Sequence, residues 1–271
     1  MNGLGRIARC YIGSIAVVGG ALFVFGATHV ISWAILIPVV VLIIAADAAP
    51  AILVRSDRGQ GAAITVSAGF PIRMAAVVLI GPWGAVLSTV VTLFAFVPGG
   101  RPLVKRVFNV GQLVITVCVS GLVYTTLGGH IGPLSGHDVP SSVFPFAVAA
   151  FVYYLTNTAL VTGIVMLTSD MRLRAALPGF IAPFAATYLG YGTVGLLLPI
   201  LWSEVGILAA VLALGPIFVA RWAASQLVAE REAREGTLRA FARAVETKDY
   251  YTRGHSDRVA RLSELMGREA K

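Results

Sequence analysis

Four polar side chains lie inside apolar runs of this sequence, where ordinary helix packing does not require them. Arg73 follows Pro71 by two residues, and a guanidinium in such a run usually faces a bundle interior or a wet cavity. The alternative is a position near the membrane interface. Asn109, Gln112 and Asn157 place amides in other runs, where amides either hold helices together or meet a ligand. These four residues are the candidate sensory positions.

His255 is the candidate metal ligand. Val259, Leu262 and Met266 follow it on the same face of a predicted helix, so the imidazole is expected to point inward. An inward imidazole whose second nitrogen is held by an acceptor suits metal binding. The alternative is a hydrogen-bonded core histidine, and one histidine alone does not make a metal centre.

A loop between residues 128 and 142 contains a second group of metal-binding side chains, His130, His137 and Asp138. Imidazole nitrogens and carboxylate oxygens both bind divalent metals. Two histidines seven residues apart in a loop rich in Gly and Pro are nevertheless more typical of an ordinary surface loop.

The composition predicts the kind of scaffold that must position these residues. The chain has 271 residues, of which 57% are hydrophobic and 13% charged, with a mean hydropathy of +0.84. Soluble domains carry about 25% charged residues, so this chain could not cover a soluble surface. A disordered chain and a disulfide scaffold are excluded by the same figures. The sequence predicts an all-α, polytopic membrane bundle.

Eight apolar runs are long enough to be membrane helices, for which about 20 residues are needed with a range of about 17–25. One pair is ambiguous, because residues 62–80 and 83–98 are joined only by Gly81-Pro82. If 62–70 is a surface or re-entrant stretch, the number of spans falls to seven or six. The eight runs are 11–27, 30–46, 62–80, 83–98, 108–127, 143–167, 177–200 and 204–220.

The positive charges indicate which ends of the runs face the cytoplasm. Lys and Arg precede the first run and occupy every second connection after it. By the positive-inside rule, both termini face the cytoplasm, as expected for a multi-pass protein of the bacterial inner membrane. The formal net charge of +8 is explained in this way, so nucleic acid is not an expected partner. The connections without Lys or Arg are those near 28–29, 81–82, 128–142 and 201–203.

The charge density changes abruptly at Arg221, which we take as a domain boundary. Residues 1–220 contain ten Lys and Arg, whereas residues 221–271 contain eleven. Residues 221–247 are predicted to form a cytoplasmic connector helix, with Glu230–Arg234 and Glu235–Arg239 spaced to stabilise a solvated helix. An alternating four-three spacing also allows this helix to pair in a homodimer, although two arginines occupy core positions. A simple amphipathic connector is the alternative.

Two resemblances to known families concern the membrane part. Phe70–Gly84 and the stretch from Arg106 to Asn109 resemble membrane input modules that are fused to bacterial signalling domains. They are also similar to the small-molecule-binding subunits of vitamin uptake transporters. Both resemblances cover the third to fifth runs only, and they imply a sensory module without naming its ligand.

A third resemblance concerns the C-terminal residues. The run from Leu238 to Ala260, which includes KDYYTRGHSDRVA, resembles the opening of HD-GYP domains, metal-dependent phosphodiesterases that hydrolyse cyclic di-GMP. The resemblance implies that His255 is the first ligand of an iron or manganese pair. It also implies that residues 248–271 are the first helix of an HD-type domain.

The HD-GYP resemblance extends only to the start of that domain. The paired His-Asp, the later histidines and the Gly-Tyr-Pro loop of the family have no counterpart after His255. Two metals need a cluster of His and Asp ligands to activate a bridging water. We therefore expect the chain to be truncated, to contain no catalytic residue and no bound metal pair, and to be inactive alone.

The leading hypothesis from the sequence is the membrane sensor half of a cyclic di-GMP phosphodiesterase. The alternative is a stand-alone membrane protein that binds or transports a small molecule and carries a vestigial tail. A sensor histidine kinase with His255 as phosphoacceptor is disfavoured, because the usual acidic and proline context does not follow that histidine.

Overall fold

The computed structural model describes residues 5–29, 32–47, 52–54, 64–66, 69–94, 102–168, 182–248 and 255–269. Helices account for nearly all of the described residues, so the predicted all-α class is confirmed at that level. The helices are α1 (Arg6–Ala27), α2 (Trp33–Asp47), α3 (Gly69–Val90), α4 (Leu103–Thr126), α5 (Asp138–Thr168), α6 (Ala182–Val205), α7 (Leu208–Lys248) and α8 (His255–Glu269).

Four of the described helices are long and apolar enough to cross a membrane: Arg6–Ala27, Gly69–Phe94, Leu103–Thr126 and Asp138–Thr168. Trp33–Asp47 and Val194–Val205 are shorter apolar helical segments. A membrane-embedded helix satisfies its backbone groups internally, which is why long apolar runs form helices. The chain is therefore a membrane protein, whereas the predicted number of eight spans exceeds these four candidates.

The predicted run 62–80 differs from the observed structure at its start. Ile64–Val66 forms a short β-strand that pairs antiparallel with Ile52–Val54, with Leu53 opposite Thr65. The β-branched residues Ile64, Thr65 and Val66 favour an extended backbone. The three residues of this strand are too few to form a helix of their own. Helix α3 begins only at Gly69.

Helix α3 folds back on itself at Gly81. That residue has φ 71° and ψ 178°, outside the helical region and accessible mainly to glycine, and Pro82 follows it. The side chains of Arg73 and Thr92 meet at 2.9 Å although 19 residues separate them. A straight helix would place them about 28 Å apart. Gly69–Phe94 is therefore a helical hairpin whose two halves pack side by side, as the Gly81-Pro82 junction in the sequence suggested.

The helical hairpin is the centre of the membrane unit. Every residue from Gly69 to Leu79 is buried, and α3 contacts α1, α2, α4 and α6. Its apolar side chains form one large core with residues of α2, α4 and α5. Helix α1 approaches α4 closely at Gly19 and Gly111, where a Cβ on Gly19 would lie 2.8 Å from the Gly111 Cα. Side chains on the hairpin are thus placed deep inside the bundle.

The connections without Lys or Arg lie together at one end of the bundle. His29, just after α1, stacks on Trp83 beside the hairpin turn at a centroid distance of 5.2 Å. The backbone N–H of Gly132 donates to the Val78 carbonyl at 2.8 Å, and the Ser203 hydroxyl donates to the Leu134 carbonyl at 2.8 Å. These contacts connect the end of α1, the hairpin turn, the α4–α5 loop and the end of α6.

The chain divides into two compact units, Met1–Ala220 and Arg221–Lys271. Helix α7, Leu208–Lys248, belongs to both, so the predicted connector is the second part of a longer helix rather than a helix that begins at Arg221. Helix α8 begins at His255, where a new helix was predicted. The connector role assigned to 221–247 and the boundary at residue 248 stay predictions.

Candidate functional site

A cluster of three hydrogen-bonded side chains, Asp47, Arg73 and Thr92, lies inside the membrane unit, and we call it the ionic cluster. The Arg73 side chain is 0% exposed and that of Asp47 7%, and Arg73 Nη2 donates to Asp47 Oδ2. Thr92 Oγ1 donates to the same carboxylate oxygen at 2.8 Å and accepts from Arg73 Nη2 at 2.9 Å. Each of the three side chains therefore contacts the other two.

Three separate chain segments supply the ionic cluster. Asp47 is the last residue of α2, Arg73 lies in the second turn of the helical hairpin, and Thr92 lies in the short 3-10 helix Val91–Phe94 that ends it. The reversal at Gly81 is what brings Arg73 and Thr92 together. The cluster therefore joins both open ends of the hairpin to the end of α2.

Aromatic side chains surround the guanidinium. Tyr153, on α5, is buried with its hydroxyl beside the Arg73 guanidinium. The Phe70 ring packs edge-on against the Tyr153 ring at a centroid distance of 4.9 Å. This wall excludes water, which strengthens the Coulomb attraction between Arg73 and Asp47.

The ionic cluster has a physical reason: Arg73 is fully buried in the membrane unit and needs an opposite charge beside it. A charged side chain inside a membrane helix is costly, up to about 2.5–3.5 kcal/mol at the helix centre on insertion scales, so it persists where a partner compensates it. Asp47 supplies the opposite charge, and the neutral pair can be buried. Because such a pair gives little net stability over apolar packing, its retention is typical of specificity or switching.

The three candidate amides occupy different settings. Gln112, on α4, is 2% exposed, and its Nε2 reaches Oδ1 of Asn109 at 3.5 Å, the outer limit for a hydrogen bond. Asn109 and Asn157 are half-buried. The Gln112 main-chain carbonyl accepts a hydrogen bond from Thr116 at 2.7 Å. The role of these amides as sensory residues stays a prediction.

Sequence reasoning found Arg73 but missed Asp47 and Thr92. Asp47 directly follows the second apolar run, 30–46, and Thr92 lies inside the fourth, 83–98. A signal was available, because residues 1–220 contain only five acidic residues and a buried arginine needs one of them. Thr92 gave no such signal, since threonines occur throughout membrane helices.

The proposed metal ligands do not form a metal centre among the described residues. His255 begins α8, but its side chain lies outside the described residues. His130 Nδ1, in the α4–α5 loop, and Asp138 Oδ1, at the start of α5, are 4.0 Å apart, with side-chain exposures of 46% and 33%. Within the described part of the chain, no group of three His, Cys, Asp or Glu residues could hold a metal ion.

Comparison with known proteins identifies a family for the membrane unit, but the match does not extend to residues 228–271. Residues 29–227 match the MASE9 family, whose members are membrane-associated sensory domains. No curated protein and no solved structure matches the chain.

The assignment of residues 238–260 to an HD-GYP domain is wrong on this comparison. The matched region ends at residue 227, and no phosphohydrolase family supports the resemblance. The error has a physical source, because a short run around one helix start does not determine a fold that needs ligands from several helices. The prediction of a metal pair rested on the same resemblance and is not carried further.

The match covers well over half of the 271 residues and includes the helical hairpin and the whole ionic cluster. It also includes all four candidate sensory positions, Arg73, Asn109, Gln112 and Asn157. The chain belongs to the MASE9 family of membrane-associated sensory domains.

Proposed function

We propose that this chain is the sensory input module of a membrane signalling protein, and that the ionic cluster is its switching element. One observation carries the proposal: a single buried ring of hydrogen bonds joins α2 to both ends of the helical hairpin. A signal that separates Arg73 from Asp47 releases three segments at once. Packed cores respond to such changes by moving between discrete arrangements.

Helix α7 carries the signal to the cytoplasmic unit in this proposal. It begins at Leu208, where Ala209 and Ala210 are buried in the same core as the helical hairpin, and continues to Lys248. A change in hairpin packing therefore reaches the connector through one continuous element. The output that the connector controls is not specified by the membrane unit.

Hydrogen exchange in the connector tests this coupling. The full chain is compared with Asp47→Asn, which leaves Arg73 without its opposite charge, by mass spectrometry of peptides from 221–248. We expect exchange there to change at least twofold in the variant and to stay unchanged in His130→Gln, a matched change in an exposed pair. A folded Asp47→Asn protein with wild-type exchange in 221–248 would overturn the proposal.

We further propose eight membrane crossings, with both termini in the cytoplasm of a bacterial cell and the helical hairpin counted as two. The grouping of the connections without Lys or Arg at one end supports this arrangement. Cysteines introduced at Arg58 and Gly99 should then react from the same side of the membrane, and one at Ser135 from the opposite side. Reaction of the first two from opposite sides would mean that the hairpin crosses only once.

The connector also offers a surface for a homodimer, which we propose as the partner arrangement. Leu238 and Phe241 lie three residues apart on α7 and are 62% and 66% exposed. In a background without Cys10 and Cys118, a cysteine at Leu238 should form an intermolecular disulfide more efficiently than one at exposed Ala240. Equal efficiency at both positions would contradict pairing through this face.

A stand-alone binding or transport protein is the second candidate function, and the buried polar groups Arg73 and Gln112 favour it. The two functions differ in the consequence of ligand binding. Transport predicts ligand accumulation in vesicles that contain the chain, whereas an input module predicts a conformational change in 221–248 without accumulation.

A further inference from the structure

The break in the helical hairpin leaves a main-chain carbonyl that another part of the chain satisfies. In a continuous α-helix, the Val78 carbonyl would accept a hydrogen bond from the N–H of residue 82. That residue is Pro82, which has no N–H, and Gly81 before it is not helical. The N–H of Gly132, in the α4–α5 loop, donates to the Val78 carbonyl at 2.8 Å instead. The loop therefore supplies a donor that the hairpin turn lacks, and a buried acceptor needs such a partner.

Two residues further along, the same loop is fixed to α6. The Leu134 N–H donates to the Pro199 carbonyl at 3.1 Å, and the Leu134 carbonyl accepts from the Ser203 hydroxyl at 2.8 Å. The Leu134 side chain is 0% exposed, although loops usually run over the protein surface. We call Gly132–Leu134 the strap, because its backbone bonds to the hairpin at one residue and to α6 at another.

The strap shares its hydrophobic core with the start of α7. Leu134 belongs to the same core cluster as Trp202, near the end of α6, and as Ala209 and Ala210, in the first turn of α7. Only two residues separate α6 from α7, and one of them is Gly206 with φ 57°. A displacement of Leu134 would therefore disturb the packing from which α7 begins, and α7 continues to the connector.

The strap and the ionic cluster hold different ends of the helical hairpin. The ionic cluster joins the two open ends, at Arg73 and Thr92, whereas the strap bonds to Val78 near the turn. The strap also lies at the end of the bundle where the connections without Lys or Arg meet. It is thus a second contact through which the hairpin can be moved, from the end away from the basic connections.

We propose that the strap is the point where a signal from that end of the bundle enters the membrane unit. Displacement of Leu134 breaks the bonds to α6 and, two residues away, the bond from Gly132 to the Val78 carbonyl. The hairpin turn and the end of α6 are then released together, and the repacking reaches α7. This inference rests on the proposed input-module function and adds to it a control point separate from the ionic cluster.

Hydrogen exchange in the full chain, reconstituted in lipid nanodiscs, tests the strap. Leu134→Ala removes the buried side chain, and Leu127→Ala is the matched control, because Leu127 directly follows α4 and is 43% exposed. In Leu134→Ala, exchange should rise at least twofold both at the hairpin turn, 76–84, and in 221–248, with α1 unchanged. A rise confined to the loop, an equal rise in all helices, no rise, or the same rise in Leu127→Ala would overturn the proposal.

A milder pair of variants keeps the test decisive if Leu134→Ala does not fold. Leu134→Val removes a single methylene from the buried side chain, and Leu127→Val makes the same change at the exposed position. Leu134→Val should give a smaller rise in exchange in the same two regions. A folded Leu134→Val protein that exchanges like Leu127→Val in both regions would overturn the proposal.

These outcomes are separable from those of the proposed switching function. The Asp47→Asn comparison leaves the strap intact, and the Leu134 variants leave all three side chains of the ionic cluster in place. Wild-type exchange in the Leu134 variants, with altered exchange in Asp47→Asn, would remove the strap and keep the switch. The opposite pair of results would remove the switch and keep the strap as the control point of α7.

Discussion

Among the described residues, two pairs of acidic and basic side chains have surroundings that could hardly differ more. Arg73 and Asp47 lie in the centre of the bundle, with side-chain exposures of 0% and 7%, in direct contact. His130, in the α4–α5 loop, and Asp138, the first residue of α5, have exposures of 46% and 33% and lie 4.0 Å apart. The inner pair connects residues 26 positions apart in two helices, whereas the outer pair connects a loop residue to the start of the next helix.

This difference shows why the same kind of interaction has structural consequences in one place and few in the other. Water and salt screen the outer pair, and exposed pairs of this kind contribute little to stability. The inner pair has no water to replace a lost partner, so removing one charge leaves the other buried and uncompensated. The comparison yields four predictions, from the largest expected effect to the smallest.

The largest effect is expected for single substitutions in the inner pair. Arg73→Leu should lower the free energy of unfolding by about 3–5 kcal/mol, because the Asp47 carboxylate is left buried without its counter-charge. Reversible unfolding in mixed micelles measures the loss. The double variant Arg73→Leu, Asp47→Leu should be more stable than either single variant. Losses that simply add in the double variant would show that the two groups are not coupled.

A smaller loss is expected for Thr92→Val, which keeps the shape and removes one hydroxyl. Arg73 and Asp47 retain each other, so the loss should be about 1.5–3 kcal/mol, as for hydrogen bonds to charged groups. Thr89→Val is the matched control, since the Thr89 hydroxyl bonds only to the Ala85 carbonyl among the described residues. If both threonines gave the same loss, Thr92 would have no special part in the ionic cluster.

The hairpin turn provides the third prediction. Gly81→Ala should cost about 1–3 kcal/mol, because φ 71° with ψ 178° is strained for any residue with a Cβ. The new Cβ would also lie 3.3 Å from Ile131 Cδ1. Gly13→Ala, in the exposed part of α1 with open space around it, should be neutral or slightly stabilising. A neutral Gly81→Ala in the same unfolding assay would argue against the fold-back.

The outer pair gives the smallest effect. His130→Gln should leave the melting temperature unchanged at both low and high salt, because solvent already screens the imidazole. The His130 carbonyl, which accepts a hydrogen bond from Tyr124 at 2.7 Å, is retained in the variant. A clear, salt-dependent loss of stability would mean that the loop pair contributes more than its exposure indicates.

Several features of the protein followed from its sequence because they depend on local chemistry. The shortage of charged residues excluded a soluble fold, and the long apolar runs predicted helices, which the described residues form. The junction Gly81-Pro82 marked the reversal of the chain, since only glycine adopts such a backbone readily. The short HD-GYP-like run misled for the complementary reason: a local motif carries no information on the ligands that distant segments would have to supply.

The ionic cluster, by contrast, was decided by tertiary structure. An isolated arginine in an apolar run indicates that a partner is needed. It does not indicate which of the five acidic residues in 1–220 lies beside it. Asp47, Arg73 and Thr92 come from three segments, and a side chain can bond across them only after Gly81 has reversed the hairpin against α2. The sequence showed that Arg73, in an apolar run, would need either a compensating partner or a position near the interface, because each residue carries its own transfer cost. The fold alone determined its partners, because contact between distant segments depends on the path of the whole chain.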